Sequence, residues 1–194
     1  MKKLFGLLAF ASVLMFGQIA SAQMTFHVFH GFETSVHNGA IKCGTTANGG
    51  DSFKVALSNT AITASWTQLS SVTQITGENG YTTGGAAMTT VSMSQTSGVM
   101  TWVGSDVSWT ASEGNIVARY FVLYSDTSTN DLLVGWWDYG SSFTVYDGGD
   151  LNLDIGTLIT VTTTASLGNI PQLFKLNADR YAALNPRREW LIAA

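Results

Sequence analysis

The sequence predicts an all-β fold, an antiparallel β-sandwich or jelly roll, with a short N-terminal helix and a C-terminal helix as additions. Three observations point there. Short apolar runs recur along the middle of the chain, separated by turns rich in Gly, Asn, Asp and Ser, which is the rhythm of an antiparallel sheet protein. Hydrophobic residues make up 45% of the 194 residues and charged ones only 11%, less than half of the roughly 25% usual in soluble domains. Ser, Thr, Gly and Asn fill the difference and suit neutral polar sheet faces. No internal repeat of solenoid or propeller length is visible, so a closed two-layer arrangement is the simplest way to bury the apolar runs.

Residues 1–23 have the layout of a secretory signal peptide. Lys2 and Lys3 precede an apolar run from Leu4 to Phe16, and Ala20-Ser21-Ala22 supplies a small-residue cleavage site before Gln23. The apolar run is shorter than the ~20 residues of a membrane span, so no stable membrane span is expected. Met24 is an alternative start that removes the leader, and the two starts imply different destinations.

In residues 24–41, Phe26, Phe29, Phe32 and Val36 follow spacings of three, three and four. This is one face of a short amphipathic helix, with Asn38-Gly39 as its stop. His27, His30 and His37 do not converge on that helix, and no carboxylate stands at ligand spacing beside them. They read as polar surface positions.

The sandwich domain is expected over residues 42–166. After a Gly/Thr/Asn loop, the run from Asp51 to Thr60 alternates, with Phe53, Val55 and Leu57 inward. Trp66–Ile75 is a weaker extended segment. Glu78 to Gly85 is a loop without the lysine or following helix of a phosphate cradle. Strands then run over Ala87–Ser94 and Val99–Trp109 around a turn at Gln95–Gly98, with Val103, Val107 and Trp109 expected on one face. Ile116–Tyr124 is apolar on both parities and must be covered on both sides. Its Arg119 needs a carboxylate such as Asp138, or an edge, because a buried unpaired guanidinium is costly. Leu151–Ile155 and Leu158–Thr163 form the last pair. In the tail, residues 167–194, Pro171 opens a helix through Leu184 and Pro186 ends it.

The chain is organised around Gly135-Trp136-Trp137-Asp138-Tyr139-Gly140-Ser141-Ser142, which leads to a turn at Asp147-Gly148-Gly149. On a strand, Trp136 and Trp137 face opposite sides of the sheet. Trp136, Trp137, Asp138 and Tyr139 are the candidate interface or ligand-contact residues. Such aromatics either hold layers or subunits together or offer a platform on which the sugar rings of surface glycans stack.

Charge and composition exclude several function classes. From Met24 to Ser166 three basic residues stand against eleven acidic ones, a net of −8. Phosphate neutralisation needs clustered Lys and Arg, so no nucleic-acid partner is expected. The single cysteine, Cys43, permits neither an intrachain disulfide nor a cysteine zinc site and reads as a small buried residue. Asp147, Asp150 and Asp154 do not have the spacing of a calcium loop. There is no G-x-S-x-G elbow, and no carboxylate pair is singled out for glycoside hydrolysis. The sequence therefore predicts no catalytic residue, no metal and no cofactor.

Four segments in order carry a resemblance: Phe53-Lys54-Val55-Ala56-Leu57-Ser58-Asn59-Thr60, Gly77-Glu78-Asn79-Gly80-Tyr81-Thr82-Thr83-Gly84-Gly85, Arg119-Tyr120-Phe121-Val122-Leu123-Tyr124-Ser125-Asp126, and Gly135 to Ser142. Together they resemble a group of small tailed-bacteriophage proteins, regarded as virion structural components of the head or tail. The similarity runs from about Met24 to Ile155. It implies a non-enzymatic β-rich module for decoration, fibre or tail, which associates with itself and with other virion proteins. The alternative expectation is a secreted bacterial binding module, carbohydrate-binding or adhesive, if the leader works.

Overall fold

The computed structural model describes residues 24–162. Ten strands and one α-helix are present among them: β1 (Phe26–Val28), α1 (Phe32–His37), β2 (Phe53–Ser58), β3 (Ala86–Met88), β4 (Val91–Thr96), β5 (Val99–Gly104), β6 (Val107–Thr110), β7 (Ile116–Ser125), β8 (Leu133–Val145), β9 (Asp150–Leu153) and β10 (Gly156–Thr162). They form a five-stranded sheet in the order β1-β8-β7-β2-β3, a three-stranded sheet β10-β5-β4, and a two-stranded sheet β6-β9. Every register in the five- and two-stranded sheets is antiparallel. The fold is all-β, an antiparallel sandwich. The described chain divides into a main compact unit, residues 24–94 and 101–160, and a second unit to which residues 95–100 and 161–162 belong. Ser97 and Gly98, in the second unit, have φ of 50° and 81°, the successive left-handed pair of a tight two-residue hairpin turn.

β7 is central because both of its parities are apolar. Its partners are β8 and β2, with Leu123 opposite Gly135 on one side and Val55 on the other. Phe121 and Leu123 join Phe53, Val55 and Leu57 in the larger core, which also takes in Trp102, Val107, Trp109, Leu151, Leu153 and Leu158 from the other two sheets. Val122 and Tyr124 turn the other way, towards a smaller cluster with Phe29, Ala56, Leu69, Val72 and Leu133. Each fully buried Val, Leu or Phe contributes about 1.5–3 kcal/mol of transfer free energy, so the larger cluster dominates stability. The smaller one is closed by the β2–β3 connection, tied down where Leu69 N–H donates to Asp131 O and Ile75 N–H to Leu57 O (both 3.0 Å).

Two expectations need correction. The helix predicted over residues 24–41 is confined to Phe32–His37, and residues 26–28 are a strand, so the sandwich begins before residue 42. The helical spacing of the phenylalanines misled because they serve different neighbours. Phe26 is tilted against Trp137 at 4.6 Å, while Phe29 lies 4.7 Å from Trp136. Those two indoles point to opposite sides of β8, which one helical face cannot reach. The second correction concerns parity: Trp102 is buried, not Val103, although Val107 and Trp109 are inward as expected. A break at Ser105-Asp106 separates β5 from β6 and shifts the alternation by one. The leader over residues 1–23 and the C-terminal helix lie outside the described residues. No helix among the described residues is long and apolar enough to cross a membrane.

Candidate functional site

The Gly135–Ser142 segment lies within β8, whose first half is clasped between β1 and β7. Gly135 is required there, because a Cβ at this position would sit 2.3 Å from the Phe26 ring and 2.5 Å from His27 O. Without a side chain, β1 can lie close against β8 and bring its own rings beside the two indoles.

Trp137 is opposite Phe26 and Phe121 in register and is only 5% exposed, part of the larger core. Trp136 faces the other way and is half-buried. It is stacked on His27 at 5.1 Å with 22° between the planes, and tilted against Phe29. The opposite-faces expectation therefore holds.

Asp138 is held by Arg119 in a bidentate pair, with Nε donating to Oδ1 at 2.8 Å and Nη2 to Oδ2 at 2.9 Å. The Gly140 N–H also donates to Oδ1 at 2.7 Å. The guanidinium hydrogen bonds hold the Asp138 carboxyl below the usual carboxylate range, with the Gly140 amide adding to the effect against a smaller opposing desolvation. Arg119 also lies 4.8 Å from the centre of the Tyr120 ring. The arginine that the sequence required to be paired has the predicted partner.

Tyr139 begins an irregularity that the sequence did not announce. Ala118 is opposite Phe143 and Tyr120 opposite Asp138, so residues 139–142 of β8 face the single residue Arg119. This is a large bulge of the special type, with more than one extra residue, and Gly140 within it has φ 91°. The Tyr139 ring packs edge-on against Phe143 at 5.1 Å. Tyr139 and Phe143 also line a small recess with Met24, Phe121, Leu151, Asn152 and Asp154. The four candidate residues are thus contiguous in the chain but divided in space: Trp137 and Tyr139 serve the larger core, while Trp136 belongs to the smaller cluster. Asp138 is spent on Arg119.

Polar groups elsewhere are mostly committed to the fold. Asp51 is buried and accepts from Ser125 Oγ at 2.7 Å and from Lys42 N–H at 3.1 Å. Burial, with Asp51 nearby, pushes the Cys43 thiol up to about 12, which leaves it un-ionised and unreactive at neutral pH. Tyr81 Oη accepts from Leu57 N–H and donates to Gln74 Oε1, which also accepts from Gly84 N–H, while Tyr124 Oη donates to Gly84 O. These two networks went unread in the sequence, since they carry no motif and are completed by residues remote in the chain, Ser125 and Tyr124. Among the described residues no group of three or more His, Cys, Asp and Glu is arranged to hold a metal ion. The chain matches no family model, no curated protein and no solved structure.

Proposed function

We propose that the protein is a structural component of a bacteriophage virion, of the head-decoration, fibre or tail type, and acts through protein–protein assembly rather than catalysis. The observation that carries this reading is the fate of the aromatic motif. Trp137 is sealed into the core, Trp136 is half-buried against His27 and Phe29, and Asp138 is engaged by Arg119 and Gly140. A motif so used strengthens a scaffold and leaves little of itself to grip a glycan. The resemblance of the four segments to phage virion proteins supports the same reading, as does a surface on which charged residues are sparse.

The test is composition of purified particles. The protein is expected in stoichiometric amount in intact, density-purified virions, with Met24 as its first residue. Its absence from particles overturns the proposal. A natural N-terminus at Gln23, with the protein recovered outside the cell, supports the secreted binding module instead.

A further inference from the structure

We infer that strand β4 is a self-association edge, pairing antiparallel with β4 of a second copy of this chain across a twofold axis near Met93. The inference rests on the assembly reading for its biological setting and names the edge through which copies meet.

An edge strand exposes unpaired backbone N–H and C=O groups, and monomeric proteins protect such edges with charges, prolines or very short strands. Among the described residues β4 is the terminal strand of its sheet, paired there with β5, and it is six residues long. Neither it nor its neighbours along the chain carry a guard: no Asp, Glu, Lys, Arg or Pro occurs between Glu78 and Asp106. Ser92 is half-buried, while Met93 and Ser94 are open to solvent, with Met93 at 40% among the most exposed large apolar residues described. The margins of the five-stranded sheet differ, since β1 and β3 are each three residues long. In the two-stranded sheet, β9 carries Asp150.

Charge selects the occupant. The described residues carry three basic and eleven acidic side chains, so two copies repel over most of their surfaces. The uncharged stretch is where a like-charged copy can approach without opposing carboxylates, whereas a basic partner would be drawn to the acidic surface instead. The strand is also self-complementary. An antiparallel register centred on Met93 sets Met93 against Met93, and Ser92 against Ser94 on the other face. Such apolar and hydroxyl cross-strand pairs stabilise sheets, and a twofold contact of one patch with itself closes as a dimer.

The experiment uses the full chain in four forms and reads association by sedimentation velocity over a concentration series. The parent chain is expected to dimerise. Met93→Lys places two ammonium groups face to face and is expected to weaken association about a hundredfold. Met93→Cys is expected to form an interchain disulfide under mild oxidation, because directly opposed Cα atoms lie about 4.5–5.5 Å apart, within disulfide reach. Val28→Cys, on the β1 edge, is the control. Circular dichroism confirms that each variant is folded, as expected for substitutions at exposed positions. A monomeric parent chain, an unchanged dimer in Met93→Lys, or cross-linking of Met93→Cys no faster than that of Val28→Cys overturns the inference. The two proposals fail separately: a β4-paired dimer missing from particles removes only the virion reading, and a monomer found in particles removes only the β4 pairing.

Discussion

Trp136 and Trp137 are neighbours in the chain, yet one leans on a three-residue strand and a loop while the other is shut in by further strands. On the Trp137 side, β6 and β9 bring Trp109, Leu151 and Leu153 against the five-stranded sheet, and the core is continuous. On the Trp136 side, the cover is the β2–β3 connection with Leu69 and Val72, together with Phe29 and His27 at the edge. The difference teaches that one strand can be structural on both faces and still have one face that opens far more easily. Regular strands close the first face, with backbone groups satisfied by ladders. Isolated bridges and single hydrogen bonds close the second, and segments held this way are the first to open locally.

The sharpest way to break this contrast is to remove each indole in turn. Trp137→Ala is expected to cost about 3–5 kcal/mol, the range for a large aromatic lost from a packed core. Trp136→Ala is expected to cost about 1–2 kcal/mol, since part of its surface already meets solvent. Urea unfolding of the two variants measures both, and equal losses would mean that the faces are equally important. Gly135→Ala tests the clasp that joins them. A methyl there meets both a ring and a backbone oxygen of β1, and overpacking of this kind costs about 1–3 kcal/mol. β1 should detach before the rest unfolds, seen as faster hydrogen exchange at residues 26–28 with slow exchange kept in β7. Uniformly faster exchange would show that β1 is not a separate flap.

The smallest effect is expected at the rim, where Arg119 and Asp138 are about a third exposed. The folded carboxyl titrates below its unfolded value of about 3.9, so the pair contributes stability above that pH and loses it as pH falls through the folded value. Asp138→Asn removes this contribution. The stability difference between parent and variant should therefore shrink on acidification below about pH 4, and solvent screening keeps it modest throughout. A difference that stays constant down the acid limb would show that the ion pair is not its source.

Much of this arrangement was legible in the residues. The alternation of Phe53, Val55 and Leu57 marked a strand with those residues facing the larger core, but not that its other face is covered too, with Ala56 and Ser58 buried; the double-parity run over Ile116–Tyr124 marked the centre of the sheet. The lone Arg119 named Asp138 through the cost of an unpaired charge. What could not be read depends on partners remote in sequence. Three phenylalanines at helical spacing satisfy a helix by period alone, and only the open edge of β8 makes residues 26–28 a strand. The parity slip at Ser105-Asp106 is marked only by the short cluster Gly104-Ser105-Asp106, which a reading of Val99–Trp109 as one strand passes over. The bulge at 139–142 is hinted at only by Gly140-Ser141-Ser142, residues equally at home in a strand of this neutral character. The four candidate residues were located together in the chain, but their division between two faces of β8 makes them parts of a frame more than one shared surface.

The bulge also bears on how the chain tolerates change in its length. Along the regular stretches of the β7–β8 ladder, which also shifts register between Leu123 and Tyr124, adding or deleting one residue would swap every following side chain between the two faces. Residues 139–142 are already out of step, so a length change there is absorbed before Phe143 resumes its place opposite Ala118. Of the positions along β8, this is where a peptide tag or reporter loop could be spliced in while both ends of the hairpin keep their alignment.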